Sequence, residues 1–162
     1  KDLEKQDRLH YANQTNKSSN INKNIHKLTL MDLDSNIVEL NSLKGKVVVV
    51  NRFNFWCGYC VSEFPTLKKL IKEFPGVKFI FVNSGETTSE LRDRYFKKKE
   101  FNFLKKQTVL FVTNDYYNNI YGDGVPHTFV VDKNGNIIYD YLGYRKELES
   151  LLRTNLKTLS KE

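Results

Sequence analysis

Cys57 and Cys60 are the only thiols in the chain, and they stand three positions apart. Ahead of them runs a β-branched stretch, Val47-Val48-Val49-Val50. Behind them comes Glu63-Phe64-Pro65-Thr66-Leu67-Lys68-Lys69-Leu70-Ile71, whose apolar positions 64, 67, 70 and 71 recur at helical spacing. Branched side chains pack well on a pleated surface, so the valine run reads as a strand buried on both faces. Strand, short turn and helix then follow one another, and the cysteines fall where the helix begins. A helix start offers unpaired backbone N–H groups and the positive end of the macrodipole. A thiolate at Cys57 is favoured there, which makes it a nucleophile near neutral pH. Positions three apart share a helical face, so Cys60 can close a disulfide with Cys57. One thiol attacks and the other resolves, which is the minimal apparatus of thiol–disulfide exchange.

Glu63 extends this constellation. Three residues beyond Cys60, it shares that cysteine's face. A buried carboxylate beside the dithiol could pass a proton to or from Cys60. The competing reading is a solvent-facing acid that suits the first turns of a helix.

The rest of the chain must position these groups. Ile25 to Leu40 reads as two short strands around the turn Asp34-Ser35-Asn36. Val77 to Val82 reads as a second buried strand, closed by Asn83-Ser84-Gly85, and Thr87 or Thr88 can cap a helix over 89–99. Thr108 to Val112 is a third strand, and Asp115 to Tyr121 a short helix. His127 to Val131 and Asn136 to Leu142 form a hairpin about the turn Asp132-Lys133-Asn134-Gly135. Arg145 to Leu159 is a terminal helix with Leu148, Leu151, Leu152, Leu156 and Leu159 along one side. Strands separated by helices give an α/β domain of three layers, a mixed central β-sheet with flanking helices.

Bulk properties set limits. At 162 residues with 40% hydrophobic content the chain holds one domain with a real core. Residues 1–24 are rich in Asn, Lys, Ser and Gln and read as a flexible tether, with the folded domain spanning 25–162. The chain opens at Lys1 and its single methionine is Met31, so a removed signal or anchor segment is expected ahead of it. No apolar run reaches the roughly 18 residues of a membrane span. The net charge of +7 is read as a solvated basic surface, with no nucleic-acid partner.

The segment Val50-Asn51-Arg52-Phe53-Asn54-Phe55-Trp56-Cys57-Gly58-Tyr59-Cys60 resembles the active-site segment of thioredoxin-like proteins. With Glu63-Phe64-Pro65 after the second cysteine and Val125-Pro126 ahead of a strand, the chain is similar to the TlpA/ResA-like branch, extracytoplasmic thiol–disulfide oxidoreductases. That resemblance implies a thioredoxin-like domain in which Cys57 attacks and Cys60 resolves. It implies a glutamate at Glu63 acting with the dithiol, and a cis-proline at Pro126 that leaves the Val125 backbone free to pair with an extended substrate. It places Trp56 and Tyr59 at the substrate-contacting rim. The implied partners are disulfide-containing protein substrates and a membrane thiol donor that re-reduces the pair. The implied chain is a monomer outside the cytoplasm with no cofactor beyond the Cys57–Cys60 disulfide, and cytochrome c maturation is among the implied pathways.

Asn51 stands where cytoplasmic thioredoxins carry a buried aspartate, which leaves Glu63 as the proton handler. Arg52 departs from the resemblance; it stands where an apolar aromatic is usual, and pairing with an acid such as Glu63 is one expectation. His127 either faces the dithiol or serves as a strand residue with a local partner. A haem-attachment site would need His after the second cysteine, where Val61 stands. The residues around Asn54 lack the Pro and Thr of a peroxiredoxin. A structural zinc site needs four ligands and one cysteine pair falls short. The alternative function is a copper-binding chaperone, with both thiolates and His127 holding a soft ion.

Overall fold

The run of branched residues places β3 (Val48–Phe53) in the middle of the molecule, with every one of its residues buried. A computed structural model describes residues 20–112 and 124–162. β3 pairs in parallel with β4 (Lys78–Asn83) and antiparallel with β6 (His127–Val131). On one side β4 carries β5 (Thr108–Phe111) in parallel. The antiparallel strands β1 (Thr29–Asp32) and β2 (Ile37–Glu39) follow. On the other side β6 turns back into β7 (Ile137–Leu142), with a register shift at Val130/Val131. The sheet therefore has seven strands in the order β2-β1-β5-β4-β3-β6-β7. The hairpin turn needs Gly135, whose φ of +88° is left-handed and whose missing Cβ leaves room for the His26 ring.

Alternation along β3 divides the core in two. Val49 and Phe53 face α1 (Gly58–Glu73) and α2 (Leu148–Leu159), packing with Phe64, Leu67, Leu70, Leu152 and Leu156. Val48 and Val50 face the other way, against Ile25, Leu28, Leu40 and Leu43 from two 3₁₀ turns, Ile25–Lys27 and Leu40–Leu43. This is the three-layer α/β arrangement with a mixed central sheet expected from the sequence. Each fully buried leucine or phenylalanine on α1 stabilises the fold by about 1.5–3 kcal/mol relative to exposure. The two helices are also joined at their surface, where Arg153 grips Glu73 with two hydrogen bonds of 2.7 and 2.8 Å. No helix among the described residues is long and apolar enough to cross a membrane.

Three segments differ from the sequence reading. The helix expected over 89–99 is one turn, Thr88–Glu90, that widens into π-type turns over Leu91–Tyr95. Leu91 and Phe96 are both buried, and a five-residue spacing faces one side only if the turn is wider than 3.6 residues. The Phe96 N–H accordingly donates to the Leu91 carbonyl at 2.8 Å. Its cap is Thr87, with the reciprocal Thr87–Glu90 capping box. The terminal helix starts at Leu148 rather than Arg145. The tether boundary at residue 24 falls inside ordered chain. Asn20 is buried and donates to Asp140 at 3.0 Å, and Asn24 bridges to Asn136. Polar side chains, backbone hydrogen bonds of Asn22 and Lys23 with Ile137, and Ile21 against the core supply that docking, most of which a hydrophobic count does not register. The short helix expected over 115–121 lies outside the described residues.

Candidate active site

β3 delivers the chain to the turn Asn54-Phe55-Trp56, and Cys57 then caps α1. Its backbone is extended (φ −87°, ψ 104°), as a cap residue requires, and its Sγ accepts the Cys60 backbone N–H at 3.2 Å. The sulfur occupies the place usually taken by a Ser or Asp oxygen, inside the positive field of the helix end. The two thiols are not bonded to each other. Both cysteines are buried, Cys57 at 9% exposure and Cys60 at 1%, so the first is the more accessible of the two. Burial first, then the hydrogen bond with Cys57, pushes the Cys60 thiol well above the ordinary thiol range; a charge on Glu63 pushes it further.

Glu63 does not face solvent. It is 3% exposed, and burial raises its carboxyl from 4.5 to about 8. The Asn51 side-chain amide and the Arg145 backbone N–H favour the anion, but by less. Arg145 thus has its N–H committed to the site, and the terminal helix begins three residues later. Glu63 Oε2 has no hydrogen-bond partner among the described residues, and neither does Asn51 Oδ1. Asn51 Nδ2 donates to Thr128 Oγ1 at 3.0 Å across the β3–β6 pair. Cys60, Glu63, Asn51 and Thr128 therefore form one buried polar island under the exposed end of the dithiol. A carboxyl close to its own neutral point and one short of a partner can hold or release a proton at small cost.

The rim is aromatic. Trp56 is 70% exposed and Tyr59 65%, and Tyr59 stacks on Tyr144 with ring centroids 5.2 Å apart. The Val125–Pro126 peptide bond is cis. Val125 is half-buried against the helix-side core, and the Pro126 carbonyl accepts the Gly143 N–H at 2.8 Å.

Arg52 and His127 are not part of the dithiol cluster. Strand alternation turns both to the face opposite Asn51 and Thr128. Arg52 donates to Ser84 Oγ at 3.3 Å and to the Gly124 carbonyl at 3.5 Å, so the expected pairing with Glu63 is replaced by loop anchoring. His127 Nε2 pairs with Asp140 Oδ1, both buried. The three ligands of the copper reading do not come together among the described residues.

Three residues hold the turn; the sequence reading takes Asn83 and Gly85 only as a strand end and passes over Glu86. Glu86 Oε1 accepts the Phe55 backbone N–H at 2.6 Å, and Asn83 Nδ2 donates to Glu86 Oε2 at 2.7 Å. Asn83 Oδ1 in turn accepts the Gly85 and Glu86 N–H groups at 3.2 and 3.0 Å. The signal was an Asn at a strand end followed by Ser-Gly-Glu, the chemistry of an Asx turn. Gly85 is needed because a Cβ there would meet Trp56 Nε1 at 2.7 Å and Asn54 Nδ2 at 3.1 Å. Gly85→Ala is expected to displace the indole, shifting the emission of the protein's single tryptophan. It costs no more than about 1 kcal/mol in urea unfolding, since an exposed side chain can swing aside. An unchanged emission spectrum would show that the indole does not rest on Gly85.

Comparison with known proteins agrees with this geometry. The family model described as Redoxin matches residues 15–156. Thiol-disulfide oxidoreductase ResA of Bacillus thuringiensis is 29% identical over 141 residues, covering 82% of this chain and 77% of that protein. ResA of Bacillus subtilis is 30% identical over 112 residues, covering 67% and 60%. The solved structure of the exposed lipoprotein thioredoxin of Streptococcus pneumoniae superposes with a TM-score of 0.66 at 22% identity, over 82% of this chain and 98% of that one.

Proposed function

We infer that this chain, which belongs to the Redoxin family, works as a reductant of protein disulfides outside the cytoplasm. It is a thiol–disulfide oxidoreductase, and the direction, the compartment and the clients are what the inference adds. The observation that carries it is the asymmetry of the pair: a more accessible sulfur capping the helix, and a fully buried thiol beside a carboxyl poised at about 8.

The Cys57 thiolate attacks one sulfur of a client disulfide. That S–S bond breaks, a Cys57–client mixed disulfide forms, and the second client sulfur leaves as a thiolate. Glu63, when ionised, takes the proton of Cys60. The Cys60 thiolate then attacks Cys57 Sγ, and the mixed disulfide breaks. The client departs with both sulfurs reduced, and Cys57 and Cys60 remain as a disulfide. Two electrons have passed to the client, and a membrane thiol donor returns them. Trp56, Tyr59, Leu142 and Tyr144 are exposed large hydrophobics and supply an apolar surface for a client segment. Val125 offers its backbone to such a segment in the manner of strand addition. Cytochrome c maturation is the pathway in which we place these clients, and the chain is proposed to act as a monomer.

The test is the reduction potential of the Cys57–Cys60 pair, measured by equilibration with a thiol buffer of known potential. A reductant is expected near thioredoxin, roughly −270 mV. A value near the oxidant DsbA, roughly −120 mV, would reverse the direction.

A further inference from the structure

The C-terminal half of α1 and the 3₁₀ segment Asn102–Lys106 enclose a groove of about 520 Å³, away from the dithiol. Lys68 and Lys72 project from α1 one turn apart, and Lys105 and Lys106 face them from the end of the 3₁₀ segment. The floor is Ile71 and Phe103, both half-buried. Phe103 sets its ring against Phe64 and Phe81 at centroid distances of 5.7 and 5.9 Å, so the floor is an outcrop of the core. No Asp or Glu lines the groove, and none of the four lysines is ion-paired among the described residues. Lys69, one residue from Lys68, shows the contrast, meeting Glu149 at 2.6 Å.

Four ammonium groups around an apolar floor repel one another, and nothing lining the groove compensates. Such a site is complementary to negative charge carried on an apolar body. Its concavity selects a chain segment over a flat anionic surface, because only a segment can enter it. We propose that this groove is an exosite for an acidic segment of a partner protein, with carboxylates on Lys68, Lys72, Lys105 and Lys106 and one apolar side chain seated on Ile71 and Phe103. The proposal rests on the reading that the partners of the dithiol are proteins. Lys68 lies eleven residues beyond Cys57 on the same helix, about 16 Å along its axis at ~1.5 Å per residue. An extended partner segment of about five residues covers that distance at ~3.3 Å each. One partner can therefore engage the groove and present a disulfide to Cys57.

The test uses the full chain and a fluorescent hexapeptide that alternates aspartate with leucine and phenylalanine. Its counterpart carries asparagine in place of aspartate. Anisotropy is expected to show binding of the acidic peptide alone, weakening as salt rises. Lys68→Glu with Lys105→Glu is expected to weaken it by about tenfold or more, and Lys68→Gln with Lys105→Gln by an intermediate factor. Reduction of the small neutral hydroxyethyl disulfide stays unchanged in both variants. Equal binding of the two peptides, unaltered affinity after charge reversal, or binding only to phosphatidylglycerol vesicles would overturn the exosite. A dithiol inert toward hydroxyethyl disulfide would instead sink the reductant reading, with peptide binding left intact.

Discussion

Cys60→Ala is expected to leave the protein caught on its client as a mixed disulfide through Cys57, and Cys57→Ala to abolish exchange altogether. The two outcomes differ because the two sulfurs sit in different surroundings. Cys57 keeps 9% exposure and caps a helix, with its sulfur accepting the Cys60 N–H at 3.2 Å. Cys60 is buried at 1% exposure and its thiol is pushed up, so it cannot open the reaction. It is needed only once Cys57 is already bonded to a client. Cys60→Ala therefore permits one attack and no turnover. Non-reducing gels of the variant mixed with a disulfide-bonded protein should show a covalent adduct that dithiothreitol dissolves. The adduct should be absent with the Cys57→Ala variant. If Cys57→Ala were the variant that trapped adducts, the roles of the two cysteines would be exchanged.

Glu63→Gln is expected to stabilise the fold in mild alkali while slowing the resolving step. The carboxyl titrates at about 8 in the folded chain and at 4.5 in the unfolded one. Below pH 4.5 both states hold the proton and the group makes no difference. Between 4.5 and 8 the unfolded chain loses its proton first, so stability falls as pH rises. Above 8 the full penalty is present, on the order of 5 kcal/mol. Glutamine has no proton to lose, so the variant should lack this slope and exceed the native protein in urea unfolding at pH 8. The kinetic effect runs the other way. Decay of a Cys57 mixed disulfide, followed by acid quenching and alkylation, should accelerate toward pH 8 in the native chain as Glu63 ionises. In the variant that acceleration should be lost. A native stability curve flat between pH 5 and 8 would show that the carboxyl is not held in its protonated form. A group that weakens the fold and is retained for its chemistry is a common trade at reactive sites.

Local signals carried the centre of this molecule. A valine run, two thiols and a helical repeat sit in adjacent sequence, so β3, the cap at Cys57 and the face shared by Cys60 and Glu63 were legible. What was not legible depends on partners distant in sequence. That Glu63 is buried, with hydrogen bonding from Asn51 and from Arg145, eighty-two residues on, is settled by tertiary packing and not by its neighbours in sequence. Arg52 reads as a partner of Glu63 from its neighbours, whereas its hydrogen bonds to Ser84 and Gly124 reach two separate loops on the other face of the sheet. His127 is claimed by Asp140 across a hairpin whose register shift sequence periodicity does not reveal. The π-type turns at Leu91–Tyr95 exist because the core demands Leu91 and Phe96 together, a tertiary demand that overrides the ordinary helical period.

The cap on α1 also makes the protein its own gauge. The Cys60 amide proton points at the sulfur that reacts. Charged, that sulfur is a strong acceptor; bonded to another sulfur, a weak one. A single nitrogen–proton resonance should consequently move with each catalytic half-cycle. Its position could be followed in a living preparation without any dye or label on the protein's surface.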